Sequence, residues 1–280
     1  MMIKLTILLF VLMVLVGGNR GVDSFWALAR TALVFLVNVY LISWGMPPIL
    51  MTLLSCAVFA GIVLYSQNGM NAKMHAAALS VMIVAAIVMA CVGPMLWLAG
   101  MSGYNEIEQY EEISMYLSSD LAVSMSAVSL SAVVLGLLGA IMDTAVAVAT
   151  AVNEVYVNQP SLTRDQLVQS GLSVGRDILG TTVNTLFFVG LGESVMLAVL
   201  FMKNEDSLAA ILNSKALYQE VAGLLIGGSG CLLIIPVNSV MIAWFLTKEA
   251  DGNGRKRRLC KKRKKRNVQG QPDTDMSRNG

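Results

Sequence analysis

Seven stretches of this chain are too apolar to face water, and they restrict it to one class of fold. They run over residues 3–17, 24–45, 48–66, 76–100, 122–156, 177–202 and 216–247. A helix needs about 20 mainly apolar residues to cross the roughly 30 Å hydrocarbon core of a bilayer. In lipid the backbone N–H and C=O groups must be paired within the chain, so each stretch should be helical. Composition agrees. Hydrophobic residues make up 56% of the chain and charged residues 14%, against about 25% charged in a soluble domain. Mean hydropathy is +0.67, and too few charges remain to wrap a globular surface. The expected fold is an all-α integral membrane protein of about seven transmembrane helices over residues 1–250, followed by a basic, disordered cytoplasmic tail over 251–280.

The ends of the spans carry local signals. Lys4 followed by Leu5 to Val16 has the outline of a signal peptide, but Gly17-Gly18-Asn19-Arg20 lacks the small-x-small pattern of a cleavage site. The segment therefore reads as a short, retained first span. Between the second and third spans, Ser43-Trp44-Gly45-Met46-Pro47-Pro48 forces a tight turn, because glycine and proline stop helices and tryptophan suits the interface. The acidic stretch from Tyr104 to Ser119 reads as a loop with a helical turn or two. Thr163-Arg164-Asp165-Gln166 has the form of a capping box. It should open a short helix, with Leu167, Val168 and Leu172 on its apolar side, lying along the membrane surface before the span at 177.

Charge sets the orientation. Twelve of the 20 Lys and Arg residues lie from Lys248 onward. Such a run can bind nucleic acid, but directly after a span it fits a retained cytoplasmic tail against anionic lipid headgroups, and no nucleic acid is expected. With the tail inside, Arg20, Arg30, Lys73, Arg164 and Arg176 also fall inside, while Lys203, Lys215 and the acidic loop fall outside. The N-terminus is then extracellular. Cys56, Cys91 and Cys231 sit in apolar runs and Cys260 in the tail, without metal-type spacing. No metal, cofactor or disulfide is expected, and the single histidine, His75, has no evident partner.

One region is not apolar filler. Asp143 precedes Glu154 by 11 residues, about 16 Å along a helix. If Asn153 and Glu154 mark the cytoplasmic interface, Asp143 lies near the bilayer midplane. An aspartate there costs about 2.5–3.5 kcal/mol on insertion scales. Gly136, Gly139, Ala140, Asp143, Ala147, Thr150 and Glu154 share one face by i+3/i+4 spacing, a small-residue stripe on which another helix can approach closely. Asp143 is thus expected to face protein or an internal water path. On the next span Arg176 and Asp177 mark the interface, and Gly180, expected as a helix-packing position, Thr181, Asn184 and Thr185 follow; Asn184 lies eight residues beyond Arg176, about 12 Å further in. Asp143, Asn184, Thr185 and Thr181 are the candidate proton-coupling group. Hydrogen-bonded packing without turnover is the alternative reading. Glu193 falls near the outer interface, where a solvated glutamate is ordinary.

Gly139-Ala-Ile-Met-Asp143-Thr, Asn153-Glu154 and Ser170-Gly171-Leu-Ser-Val-Gly175-Arg176-Asp177-Ile-Leu-Gly180-Thr181-Thr182-Val-Asn184-Thr185 closely resemble the core of the YibE/F-like family. The likeness extends to Leu41–Gly45 and is YibF-like in lacking a large extracytoplasmic domain. It implies a bacterial cell-membrane protein with a YibE-like partner. A more distant resemblance, to SecD/SecF and the resistance-nodulation-division (RND) transporters, rests on an intramembrane aspartate, an acidic helix end and a Thr-rich span. It implies a six-helix core similar to half of such a membrane domain, with Asp143 matching the proton-coupling position. The expected function is a membrane subunit of a transport or export system; the alternative is a non-transporting scaffold that stabilises its partner. An enzyme is not expected: aspartyl proteolysis needs two facing aspartates and Asp177 sits at the interface, while Gly228-Ser229-Gly230 has no histidine beside it and reads as helix packing.

Because the loop charges alone favour this orientation, truncation after Asp251 should leave insertion and topology unchanged. Reporter fusions at the loops check this; an inverted or uninserted product would assign topology to the tail.

Overall fold

The computed structural model describes residues 1–69, 71–98, 105, 124–203 and 207–269, and among them all regular structure is helical. The helices are α1 (Met2–Gly17), α2 (Asn19–Ser43), α3 (Pro48–Asn68), α4 (Ala72–Leu98), α5 (Met125–Asn158), α6 (Arg164–Lys203), α7 (Leu208–Leu212) and α8 (Lys215–Gln269). Most of the acidic stretch from Tyr104 to Ser119 lies outside the described residues.

Among the described residues six helices are long and apolar enough to cross a membrane, at Asn19–Ser43, Pro48–Ser66, Lys73–Met95, Met125–Asn158, Arg164–Lys203 and Lys215–Lys248. The expected first span is shorter. At 16 residues α1 reaches about 24 Å, less than the hydrocarbon core. It folds back on α2 as an antiparallel arm: Phe10 meets Phe25 edge-on with ring centroids 4.8 Å apart, and Gly21 lies flush against the Met13 backbone. The turn between them is made by Gly18, at φ 55°.

The Trp44 turn is built as its residues require. Gly45 adopts φ 87°, its N–H bonds the Ile42 carbonyl at 2.9 Å and the Met46 N–H bonds the Leu41 carbonyl at 3.3 Å. This is the paired closure of a Schellman motif. Pro48 then opens α3 at its first position, where no amide is needed.

Two expectations change. The segment from Thr163 does not form a separate surface helix: α6 is continuous from Arg164 to Lys203, 40 residues. Half of the capping box is present, with the Thr163 N–H donating to Gln166 Oε1 at 2.9 Å. Gly171 and Gly175 do not break the helix because they are contact points. A Cβ on Gly171 would stand 2.5 Å from Ser239 Oγ, and one on Gly175 would overlap Ile235. Close packing on α8 outweighs the helix penalty of about 1 kcal/mol per glycine. Likewise α8 continues through Lys- and Arg-rich sequence to Gln269, where an irregular tail was expected from 251. Both residues are good helix formers, and extension of an existing helix needs no new nucleus.

The core lies around α8, which packs on α4, α5 and α6; α3 packs on α4 and α5, and α2 on α1 and α3. Leu64, Val84, Val134, Ile141, Val148, Leu167, Ile234 and Ile242 are fully buried there. Leu33, Leu36, Phe188 and Met196 instead point outward, as side chains solvated by lipid do. At the end of the apolar part of α8 the Lys248 ammonium stands 4.4 Å over the Trp244 ring. His75 has a partner after all, Tyr65, whose hydroxyl lies 2.8 Å from Nδ1.

Gly175→Ala should destabilise the purified protein by about 1–3 kcal/mol, the usual cost of overpacking. Gly180→Ala, where an added Cβ meets nothing within 4 Å, should be neutral or stabilise by up to about 1 kcal/mol. Thermal unfolding in one detergent compares the two; equal effects would contradict the close approach at Gly175.

Candidate functional site

Asp143 lies on α5 and is exposed. The reason is which face of α5 the bundle uses. Val134, Leu138, Ile141, Ala145, Val148 and Val152 turn inward and are buried. The stripe of Gly136, Gly139, Ala140, Asp143, Ala147, Thr150 and Glu154 turns the other way, with Gly136, Gly139, Asp143 and Glu154 exposed. A Cβ added at Gly136 or Gly139 would meet nothing within 4 Å. No helix among the described residues lies against those two glycines. Asp143 therefore does not face the interior of this chain, and among the described residues it makes no hydrogen bond.

The residues expected beside it are on α6. Gly180, Thr181, Asn184 and Thr185 are all exposed, as are Arg176 and Asp177, while Asn153 is half-buried. The threonine hydroxyls satisfy themselves within α6: Thr181 Oγ1 donates to the Ile178 carbonyl at 2.7 Å and Thr185 Oγ1 to the Thr181 carbonyl at 2.9 Å. No hydrogen bond joins Asp143 to any of the group. Both α5 and α6 present polar and small residues outward rather than to each other.

Sequence reasoning passed over the polar groups that lie beneath this face. Asn238 on α8 is fully buried and its Nδ2 donates to the Ala145 carbonyl at 2.7 Å. That bond ties α8 to α5 two residues from Asp143. Thr144 is buried too, with Oγ1 on the Ala140 carbonyl at 2.9 Å. The available signal was Pro236-Val-Asn238-Ser239, an amide beside a helix-internal proline in an otherwise apolar run. Ser229 Oγ donates to the Leu225 carbonyl at 2.7 Å, a back-bond within its own helix.

Further along the same helices, an open pocket of about 330 Å³ between α5, α6 and α8 is lined by residues that include Gly136, Leu186, Glu193, Gln219, Glu220 and Gly223. Asn105 reaches it, donating to Gln219 Oε1 at 3.1 Å. Glu193 itself is exposed.

A family model described as YibE/F-like protein matches residues 5–248. The chain belongs to the YibE/F-like family. The match spans all six long helices and includes Asp143 and Asn238, so both the open α5 face and the amide beneath it lie within the YibE/F-like unit. No curated protein and no solved structure matches the chain.

Asn238→Leu should loosen α8 from α5 in this YibE/F-like bundle. Intramembrane side-chain hydrogen bonds contribute about 0.6–2 kcal/mol, so unfolding should shift by that amount, whereas Ser229→Ala should be near neutral. A wild-type midpoint for Asn238→Leu would show that its bond to Ala145 contributes nothing.

Proposed function

We propose that the chain is a multi-pass cell-membrane subunit of a transport or export system, completed by a YibE-like chain seated on the α5 face and coupled to protons through Asp143. The supporting observation is an ionisable side chain on an open, small-residue face of an apolar helix. Left against lipid, the carboxyl costs about 2.5–3.5 kcal/mol. Gly136 and Gly139 admit a neighbouring backbone closely enough for it to offer the carboxyl hydrogen bonds. Thr181, Asn184 and Thr185 on α6 widen the polar surface available to that neighbour. In this reading the basic C-terminal tail is cytoplasmic, against anionic headgroups, and α1 returns the N-terminus to the extracellular side. No catalytic residue is assigned, and no enzyme activity is proposed.

The scaffold reading draws on the same open face and differs in one respect: Asp143 then packs without exchanging a proton. Co-expression with the YibE-like protein and reconstitution into vesicles loaded with a pH-sensitive dye separates the two. Asp143→Asn keeps the shape and hydrogen bonding of the side chain but removes its proton exchange. It should leave co-purification in fixed ratio and reduce proton movement at least about tenfold, a barrier change of about 1.4 kcal/mol or more. Asp143→Leu should weaken co-purification as well. Wild-type proton movement in Asp143→Asn would decide for the scaffold.

A further inference from the structure

The open pocket between α5, α6 and α8 has an acidic end and an apolar end. Leu186, Gly190 and Glu193 of α6 turn toward it at helical spacing, as do Glu220, Leu224 and Gly227 of α8. Two contacts fix the register of this antiparallel pair. A Cβ on Gly227 would stand 3.7 Å from Leu186 Cδ1, and one on Gly190 would overlap Leu224. One turn further along, three residues from Gly190 and four from Leu224, the same register brings Glu193 and Glu220 to one level. Glu193 is exposed and Glu220 half-buried. Among the described residues neither carboxylate has a hydrogen-bond or ion-pair partner, and no lysine, arginine or histidine lines the pocket.

Two like charges that face one space favour a positive occupant. The other end asks for something different. From Glu220 to Gly227 is seven residues, about 10 Å, and over that depth the walls are Leu186, Leu224 and, from α5, Val133 and Leu137. The glycines show independently that the space is open: Gly136 and Gly223 line it, and a Cβ built on either meets nothing within 4 Å. We propose that this pocket binds a lipophilic organic cation, with its ammonium group between Glu193 and Glu220 and its hydrocarbon body along Leu186, Leu224 and Leu137. At about 330 Å³ the pocket falls in the range of small-molecule sites, roughly 300–1,000 Å³. An inorganic cation fits it less well. A hard cation takes about six oxygens, no cluster of three or more metal-ligating side chains occurs among the described residues, and a bare ion leaves the apolar end unfilled. The site is separate from Asp143, which lies seven residues from Gly136 along α5, and binding there requires neither proton movement nor a partner chain.

Titration calorimetry with benzyltrimethylammonium tests this, on the full-length chain in phosphatidylcholine nanodiscs with empty nanodiscs as the blank. Wild type should bind the probe saturably. Tetramethylammonium, which has the charge but no aryl body, should bind at least about tenfold more weakly. Glu193→Gln and Glu220→Gln keep the side-chain size and should each weaken the probe by about tenfold. Gly223→Leu fills the space, leaves both charges and should also weaken it. Absence of saturable binding to wild type overturns the proposal, as does wild-type affinity in both glutamine variants. Equal affinity for the two ammonium ions overturns it as well, because charge alone then accounts for the binding. Calcium that binds more tightly than the probe, and is lost in the glutamine variants, overturns it in favour of a metal. If the glutamine variants do not fold, the two ammonium ions and Gly223→Leu still decide. With the chain assayed alone and no pH gradient, failure here leaves the transport reading standing, and failure of that reading leaves the pocket.

Discussion

Lipid offers no hydrogen bonds, and that constraint organises this bundle. Helices satisfy their own backbones, so what remains to be arranged is a small number of polar side chains and the close contacts between helices. The structure meets the first need with single interhelical bonds: Asn238 from α8 to the Ala145 carbonyl of α5, and Asn38 from α2 to the Met51 carbonyl of α3. It meets the second with glycine. Gly171 and Gly175 bring α6 onto Ser239 and Ile235, and α8 becomes the element on which the long helices α4, α5 and α6 pack. Asp143 and the polar residues Thr181, Asn184 and Thr185 of α6 are instead turned out.

Asp143 is the consequential case of that last outcome. The helix carrying it is held in place by an opposite face of Val134, Ile141, Ala145 and Val148, all fully buried, so its outward position follows from core packing rather than from a loose fit. The open glycines above it and the exposed amide and hydroxyl residues of α6 extend the same surface. The proposed assembly with a second membrane chain uses this face as its joint.

Much of the fold was legible because apolar length is a local property. The spans from Asn19 to Lys248 could be read from runs of residues, and the Trp44 turn from its glycine and prolines. The continuity of α6 could not, since Gly171 and Gly175 look like helix breakers until Ser239 and Ile235 of a distant helix are placed against them. Asp143 could be assigned a depth by counting rise per residue, but the side of the helix it faces depends on which stripe the core selects. Asn38 and Asn238 were passed over because an isolated amide in an apolar run looks incidental; its carbonyl partner is supplied by tertiary structure alone.

The central claim is that protein, not lipid, covers the Asp143 face. Site-specific photo-crosslinking from position 139 in native membranes tests it most directly, with position 36 on the outward side of α2 as a lipid-facing control. The account predicts a single protein adduct from position 139, identified by mass spectrometry as a YibE-like chain, and lipid adducts from position 36. Lipid adducts alone from both positions would contradict it.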